Sequence, residues 1–188
     1  MNSVILITGY KRTGKDTLFL KFPDWSEYEI YAKEQTALNF KLPKVRFAFA
    51  DPLRQQTSEK LKVDIGQDKE KVVDGKTIRE HMKEIASKHR AKDDAYYAKL
   101  IRKAVDTAHG NMECTCMITD WRFYVERDLF PYATTGRVYR STVPVPPIND
   151  PTEHELGDFA TDLLFISPGD WQACIAQFPQ YANYRRIQ

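Results

Sequence analysis

The chain has 188 residues, of which 42% are apolar, so it is long enough for one buried core around a central sheet. Its 28 basic and 26 acidic residues give a formal net charge of +2, far from the excess expected of a nucleic-acid or membrane-surface binder. Three cysteines give neither a disulfide framework nor a paired metal-ligand spacing, which favours the reducing cytoplasm.

The first predicted element is a strand over Val4–Ile7, a continuous apolar run typical of a parallel sheet buried on both faces. This run is too short to span a membrane and lacks the flanks of a signal peptide, so we expect no membrane partner and no export. A helix follows from Gly14 to Phe22 and is stopped by Pro23. The stretch from Asp24 to Pro43 matches no element.

The middle of the chain predicts a strand over Lys44–Ala50, where apolar residues alternate with Arg46. A helix should open at Asp51-Pro52, because Asp51 can cap the first amides and Pro52 lacks an N–H that the first turn does not need. Two charged helices are predicted over Thr77–Lys92 and Ala95–Ala108.

The last third of the chain predicts three strands, over Cys114–Thr119, Arg137–Val143 and Leu163–Ile166. Strands that alternate with helices favour a doubly wound α/β fold with a parallel central sheet. The proline-rich run 144–151 is neither helix nor central strand, and it predicts a mobile lid.

A G-x-x-x-x-G-K loop lies between the first strand and the first helix. Its glycines allow the backbone to curl so that successive N–H groups face phosphate oxygens, and Lys15 can reach the β and γ phosphates. A chance glycine turn is the alternative. The residues expected to bind the nucleotide are Gly9, Lys11, Arg12, Thr13, Gly14, Lys15, Asp16 and Thr17.

Asp16 stands where most such loops carry a Ser or Thr that binds Mg²⁺. We expect Asp16 to hold Mg²⁺-bound water or to position the acceptor, with the Thr17 hydroxyl touching the metal or a phosphate. A phosphate acceptor is already ionised at neutral pH, so it barely requires a general base. The alternative is a simple acidic residue in the first turn of a helix.

Asp120-Trp121-Arg122 follows an apolar strand, at the edge where open α/β sheets bind ligands. Asp120 could support Mg²⁺ and Arg122 could grip an oxyanion, although a helix cap with a salt bridge would look the same. Further candidates to neutralise phosphate charge are Arg54, Arg79, Arg90, Arg127 and Arg140.

At these residues the sequence resembles the deoxynucleoside monophosphate kinases of tailed phages and, about as closely, animal-type phosphomevalonate kinases. Gly9 to Thr17 matches their G-x-(K/R)-x-x-G-K-D-x loop, and Phe49 to Arg54 is similar to their (A/S)-(D/G)-P-(L/I)-K segment. Asp120-Trp121-Arg122 matches their D-T-R, with Trp121 in place of threonine. Arg140 falls where the family has an arginine before its lid, and Thr152 to Leu156 resembles the (S/T)-E-x-x-L that closes it.

The resemblance implies a three-layer nucleoside-monophosphate-kinase-like P-loop fold over 1–188, with a helical acceptor region near 51–110 and a lid near 143–156. It also implies ATP and Mg²⁺ as cofactors and an acceptor that already bears a phosphate, with a deoxynucleoside monophosphate favoured. The implied roles are catalytic for Lys15, Asp16 and Arg122, and nucleotide binding for Arg140. The implied metal ligands are Asp16, Thr17 and Asp120, and the implied acceptor contacts are Asp51, Arg54, Arg79, Asp120, Trp121 and Arg122.

Several alternatives stay open. Phosphomevalonate is the other acceptor, although Phe123 stands where that family has a second arginine. A non-catalytic nucleotide sensor and a nucleic-acid end kinase are the rival functions, the latter disfavoured by the balanced charge. We expect a location in the cytoplasm, that of the host for a phage protein. The base or sugar accepted and the oligomeric state, a homodimer included, are open.

Overall fold

A computed structural model of the protein describes residues 2–33, 42–65, 69–146, 154–167 and 170–187. The strands in these ranges are β1 (Ser3–Thr8), β2 (Glu29–Ala32), β3 (Lys44–Phe47), β4 (Val72–Val73), β5 (Lys76–Thr77), β6 (Thr115–Ile118), β7 (Thr134–Tyr139), β8 (Leu163–Ile166) and β9 (Arg185–Arg186). The helices are α1 (Lys15–Lys21), α2 (Ala50–Leu61), α3 (Ile78–Arg90), α4 (Tyr96–Asn111), α5 (Tyr124–Asp128) and α6 (Trp171–Gln177), followed by a 3₁₀ turn over Pro179–Tyr181.

Seven strands form one mostly parallel sheet in the order β3-β6-β1-β7-β8-β2-β9. The first five of these are parallel to one another, and β2 pairs antiparallel with both β8 and β9. The chain winds to one side of β1 through β3 and β6, then crosses to the other side through β7 and β8. The carboxyl end of β1 is therefore a topological switch point, where open α/β sheets bind ligands.

Helices cover both faces of the sheet, as expected for a three-layer α/β arrangement. Ile5 and Ile7 of β1 pack against Leu18 of α1 in one apolar cluster. Leu6 points to the opposite face and packs in a second cluster with Ile101 of α4. The continuous apolar run of β1 thus serves two layers at once, because alternate side chains of a strand face opposite sides.

All five strands predicted from the sequence are present, but several boundaries were wrong. β3 ends at Phe47 instead of Ala50, and β7 ends at Tyr139 instead of Val143. β7 begins at Thr134 instead of Arg137, because Asp162 accepts hydrogen bonds from the N–H and hydroxyl of Thr135 and draws this polar segment into the sheet. Gly136 is required there, since an added Cβ would lie 2.9 Å from Phe165. α2 begins at Ala50, one residue before the predicted Asp51.

The sequence also predicted no element over Asp24–Pro43, where the structure contains the strand β2, which lies between β8 and β9. Of the predicted lid, residues 147–153 lie outside the described ranges. Its described ends are anchored: His154 Nε2 lies 3.0 Å from the Pro146 carbonyl, and the Leu156 carbonyl accepts a hydrogen bond from buried Arg137. Within the described ranges, each helix is too short or too polar to cross a membrane.

Candidate phosphate-binding site

The loop between β1 and α1 is a tight turn that needs its glycines. Gly9 has φ +142° and Gly14 has φ +97°, backbone angles that other residues rarely adopt. A Cβ on Gly9 would lie 2.5 Å from the Val138 carbonyl oxygen of β7. Thr13 closes the turn by donating from its N–H and its hydroxyl to the Tyr10 carbonyl, at 3.2 and 2.9 Å. The loop is therefore held in one compact shape against the end of the central sheet.

Lys15 lies across the inside of this turn. Its ammonium donates to the carbonyls of Gly9 at 2.6 Å and Tyr10 at 2.8 Å, so the cation is held close to the loop backbone. Lys11 and Arg12 of the same loop are exposed. The Lys15 ammonium therefore lies within the curl of the loop.

Arg140 meets the loop from the neighbouring strand end. Its Nε donates to the Ser167 carbonyl at 3.0 Å, which fixes the side chain between the ends of β7 and β8. Its Nη2 atom lies 3.7 Å from the position of a Cβ on Gly14, and the hydroxyl oxygen of Thr17 lies 3.9 Å from that same position. The structure therefore brings the predicted cation Arg140 and the predicted hydroxyl of Thr17 together at Gly14.

Asp16 links the loop to the two strands on its other side. One carboxylate oxygen accepts hydrogen bonds from Arg46 Nε of β3 and from the Thr119 hydroxyl after β6, both at 2.9 Å. Partial burial by itself would raise the pKa of Asp16, but the hydrogen bonds from Thr119 and Arg46 outweigh it and hold the pKa below its usual value. Asp16 is therefore an anion at neutral pH.

Sequence reasoning missed Arg46, which also lies 3.4 Å from Asp51 Oδ2 and so joins the two carboxylates. Its only signal was a basic residue at an alternating strand position. Asp51 accepts from the Ala48 N–H at 3.0 Å. The sequence predicted that Asp51 caps α2, but in the structure Asp120 has that role. Its two carboxylate oxygens accept hydrogen bonds from the N–H groups of Phe49 and Ala50 at 2.6 and 2.9 Å.

Lys69 lies close enough to Arg54, Arg79, Arg122 and Asp120 for their charges to act on its pKa, and the four cations are called the Lys69 cluster here. Burial lowers the pKa of Lys69 first, and repulsion from Arg54, Arg79 and Arg122 lowers it further. Lys69 and Arg79 are also joined through the backbone, since the Arg79 N–H donates to the Lys69 carbonyl at 2.9 Å. Three of these residues were predicted as acceptor contacts. Lys69 was missed because it lies in a run of mixed charges that indicates a solvated helical face.

Two cations of this cluster pair with carboxylates of the described residues. Arg79 pairs with Glu70 at 2.6 Å, whereas Arg54 approaches Asp51 only to 3.9 Å. The Nε atom of Arg54 is buried and has no hydrogen-bond partner among the described residues. Mutual repulsion with a buried, unsatisfied donor is the electrostatic pattern of a site that binds an anion.

The side chains of Trp121 and Tyr97 are packed inside the protein, so neither ring can stack on a nucleotide base. Trp121 is 1% exposed, donates from its ring N–H to the Phe123 carbonyl and packs edge-on against Phe159. Tyr97 is 2% exposed and donates to Gln56. The predicted contact of Trp121 with the acceptor is therefore wrong for its side chain, because the ring has no open face.

Tyr10, which the sequence left without a role, connects the loop to the lid. Its ring lies 5.7 Å from that of His154 and 5.8 Å from that of Phe178. Tyr124 adds a second anchor for the same segment by donating its N–H to Glu155 at 2.8 Å. The end of the predicted lid is thus in direct contact with the candidate phosphate loop.

Comparison with protein-family models gave no match, and a search of the curated proteins also found none. Any function assigned to this chain must therefore be argued from the arrangement of its own residues.

Proposed function

We propose that the protein transfers the γ-phosphoryl group of ATP to a phosphorylated small molecule, with a deoxynucleoside monophosphate as the favoured acceptor. One observation carries this proposal. Thr119 contacts Asp16 beside the glycine loop, and the next residue, Asp120, lies beside the Lys69 cluster. Consecutive Cα atoms are about 3.8 Å apart, so the two candidate anion sites are neighbours.

Two adjacent sites for anions suit a reaction in which one phosphate attacks another. The glycine loop, Lys15 and Arg140 would hold the triphosphate, and the Lys69 cluster would hold the acceptor phosphate, which carries about −1.5 to −2 charges at pH 7. Four cations at the acceptor side offset that charge and reduce the repulsion between the reactants.

The transfer itself needs little proton chemistry. An oxygen of the acceptor phosphate forms a bond to the γ-phosphorus as the bond to the β,γ-bridging oxygen breaks, and ADP leaves. The acceptor is already an anion, so no side chain has to remove a proton. The contribution of Lys15, Arg140 and Arg122 is to align the two phosphates and to stabilise charge on the transferring group.

Asp16 and Thr17 fit Mg²⁺ as oxygen ligands, because Asp16 is ionised and both residues are exposed beside Gly14. Asp120 fits less well, since each of its oxygens already accepts a backbone N–H of α2. When bound, Mg²⁺ neutralises charge on the phosphate oxygens.

The choice of acceptor rests on the sequence resemblance. Trp121 and Tyr97 are buried and the Tyr96 ring stacks on His89, so stacking on a base does not favour a nucleotide over phosphomevalonate. Phosphomevalonate is therefore retained as a second acceptor, and the test must include it.

The test is a coupled ADP-release assay with deoxynucleoside monophosphates, ribonucleoside monophosphates and phosphomevalonate. We expect turnover with a deoxynucleotide and a loss of about 100- to 1,000-fold in Lys15→Met. Lys83→Met, at an exposed position on α3, is the matched control and should keep full activity. Turnover with phosphomevalonate alone would overturn the favoured acceptor. ATP binding without ADP release with any acceptor would identify a sensor instead.

A further inference from the structure

We infer that His109, Cys114 and Cys116 form a binding site for a thiophilic divalent cation, with Zn²⁺ as the best-suited ion. His109 lies in the last turn of α4, Cys114 directly before β6 and Cys116 within β6, and their ligand atoms all lie within 4.8 Å of one another. This site is separate from the proposed kinase activity. Five residues lie between Cys114 and Asp120, four of them in the extended strand β6, so these two residues are roughly 15 to 20 Å apart.

The geometry matches a tetrahedral ion with sulfur and nitrogen ligands. The two sulfur atoms are 3.7 Å apart. Two thiolates on tetrahedral Zn²⁺ at about 2.3 Å from the metal are about 3.8 Å apart, so the pair needs almost no movement. A histidine nitrogen belongs about 3.6 Å from each sulfur, which requires His109 to move by roughly 1 Å at most.

The strand and the helix place the ligands together without strain. Side chains two residues apart on a strand share a face, so Cys114 and Cys116 point to the same side of the sheet. That side is covered by α4, whose Val105 packs in the same apolar cluster as both cysteines. His109 lies one helical turn beyond Val105 and therefore reaches the cysteine pair.

The buried groups point to a ligand of this kind. Cys114 and Cys116 are both fully buried, and His109 Nε2 is a buried nitrogen with no hydrogen-bond partner in the part of the chain that the structure describes. An unsatisfied buried nitrogen is costly, and coordination to a metal satisfies it. Two thiolates also neutralise a divalent ion, which makes the complete site electrically neutral and favours Zn²⁺ over a monovalent ion.

Asn2 fixes the backbone around the proposed ligands. Its side-chain amide donates to the His109 carbonyl at 3.2 Å and accepts from the Cys114 N–H at 3.0 Å. One side chain therefore ties the end of α4 to the start of β6. Such outer contacts orient ligands and raise metal affinity.

Binding of Zn²⁺ to the two cysteines releases their thiol protons. Each cysteine S–H bond breaks as an S–Zn bond forms, the two protons pass to solvent, His109 donates a lone pair, and water supplies the fourth ligand. The ion would join α4 to β6 and stabilise the folded protein.

The experiment uses the full chain, purified without a metal-affinity tag, loaded with Zn²⁺ and dialysed. We expect about one Zn²⁺ per chain by mass spectrometry, about two protons released per ion by calorimetry, and a melting temperature that a chelator lowers. Cys116→Ala and His109→Ala should each weaken binding by at least about tenfold. Cys174→Ala is the matched control, because Cys174 is a buried cysteine in a separate cluster, and it should bind normally.

His109→Ala keeps the test decisive if Cys116→Ala does not fold, since His109 is only partly buried at a helix end. Substoichiometric zinc in the wild-type protein would overturn the inference, and so would equal binding by the wild type and His109→Ala. A Cys114–Cys116 disulfide, detected as one free thiol in place of three, would overturn it as well.

Discussion

The buried side chain of Glu126 should make the free energy of unfolding depend on pH, and a single substitution at this position should remove that dependence. This side chain is 4% exposed and accepts hydrogen bonds from the N–H groups of Arg122 and Phe123 at 2.8 and 3.1 Å. Burial raises its pKa from 4.5 to about 8, and the nearby charge of Asp120 adds to this effect. Between these two pH values the unfolded chain has lost the proton while the folded protein keeps it, so stability falls as pH rises.

The size of the effect follows from the two pKa values. Between pH 5.5 and 8.5, this one group should remove about 3 kcal/mol from the free energy of unfolding. Glu126→Gln keeps an oxygen that can accept from both N–H groups but does not titrate. The variant should therefore gain about 3 kcal/mol relative to the wild type between these two pH values.

The assay is urea unfolding followed by tryptophan fluorescence at pH 5.5, 7.0 and 8.5. Glu59→Gln removes the same charged group from an exposed position on α2 and serves as the control. Its pH dependence should be that of the wild type. Parallel pH profiles for Glu126→Gln and the wild type would show that Glu126 does not titrate in this range, and the argument from its burial would fail.

Three further substitutions test the candidate site. Lys69→Met should raise the KM for the acceptor about 10- to 100-fold with little change in the KM for ATP, because it removes one cation of the Lys69 cluster. Asp120→Asn should cost about 1.5 to 3 kcal/mol of stability, since one of the two N–H groups at the start of α2 loses its charged acceptor. Gly9→Ala should abolish ATP binding, because its φ of +142° and the 2.5 Å approach of a neighbouring carbonyl leave no room for a side chain.

The lysine and glycine substitutions each have a matched control. Lys71→Met changes an exposed lysine two residues from Lys69, and Gly110→Ala adds a methyl group that would meet no atom within 4 Å. Both variants should behave as the wild type. An equal rise in acceptor KM for Lys69→Met and Lys71→Met would remove Lys69 from the acceptor site. If Gly9→Ala bound ATP with the affinity of the wild type, the role of the loop would be contradicted. If Asp120→Asn had the same free energy of unfolding as the wild type in chemical denaturation, the role of Asp120 would be contradicted.

The predictable parts of the fold were those with strong local signals. The apolar run of β1, the glycine loop and the helix beginning near Asp51 are each encoded within about ten residues, so pattern alone predicts them. β2 escaped prediction because this strand of four residues is stabilised by its pairing with β8 on one side and β9 on the other, and the local sequence does not display these contacts.

The sequence by itself determined which residues could bind phosphate at the first turn, because glycine spacing and a following lysine act through a contiguous backbone. Which residues from other segments lie beside that turn depends on the tertiary structure alone. Arg46, Lys69 and Arg140 reach the site from three other segments, and His109 meets its two cysteines across a helix–strand contact. Charges from distant segments act through space, so their role depends on how the sheet is ordered and where each strand ends.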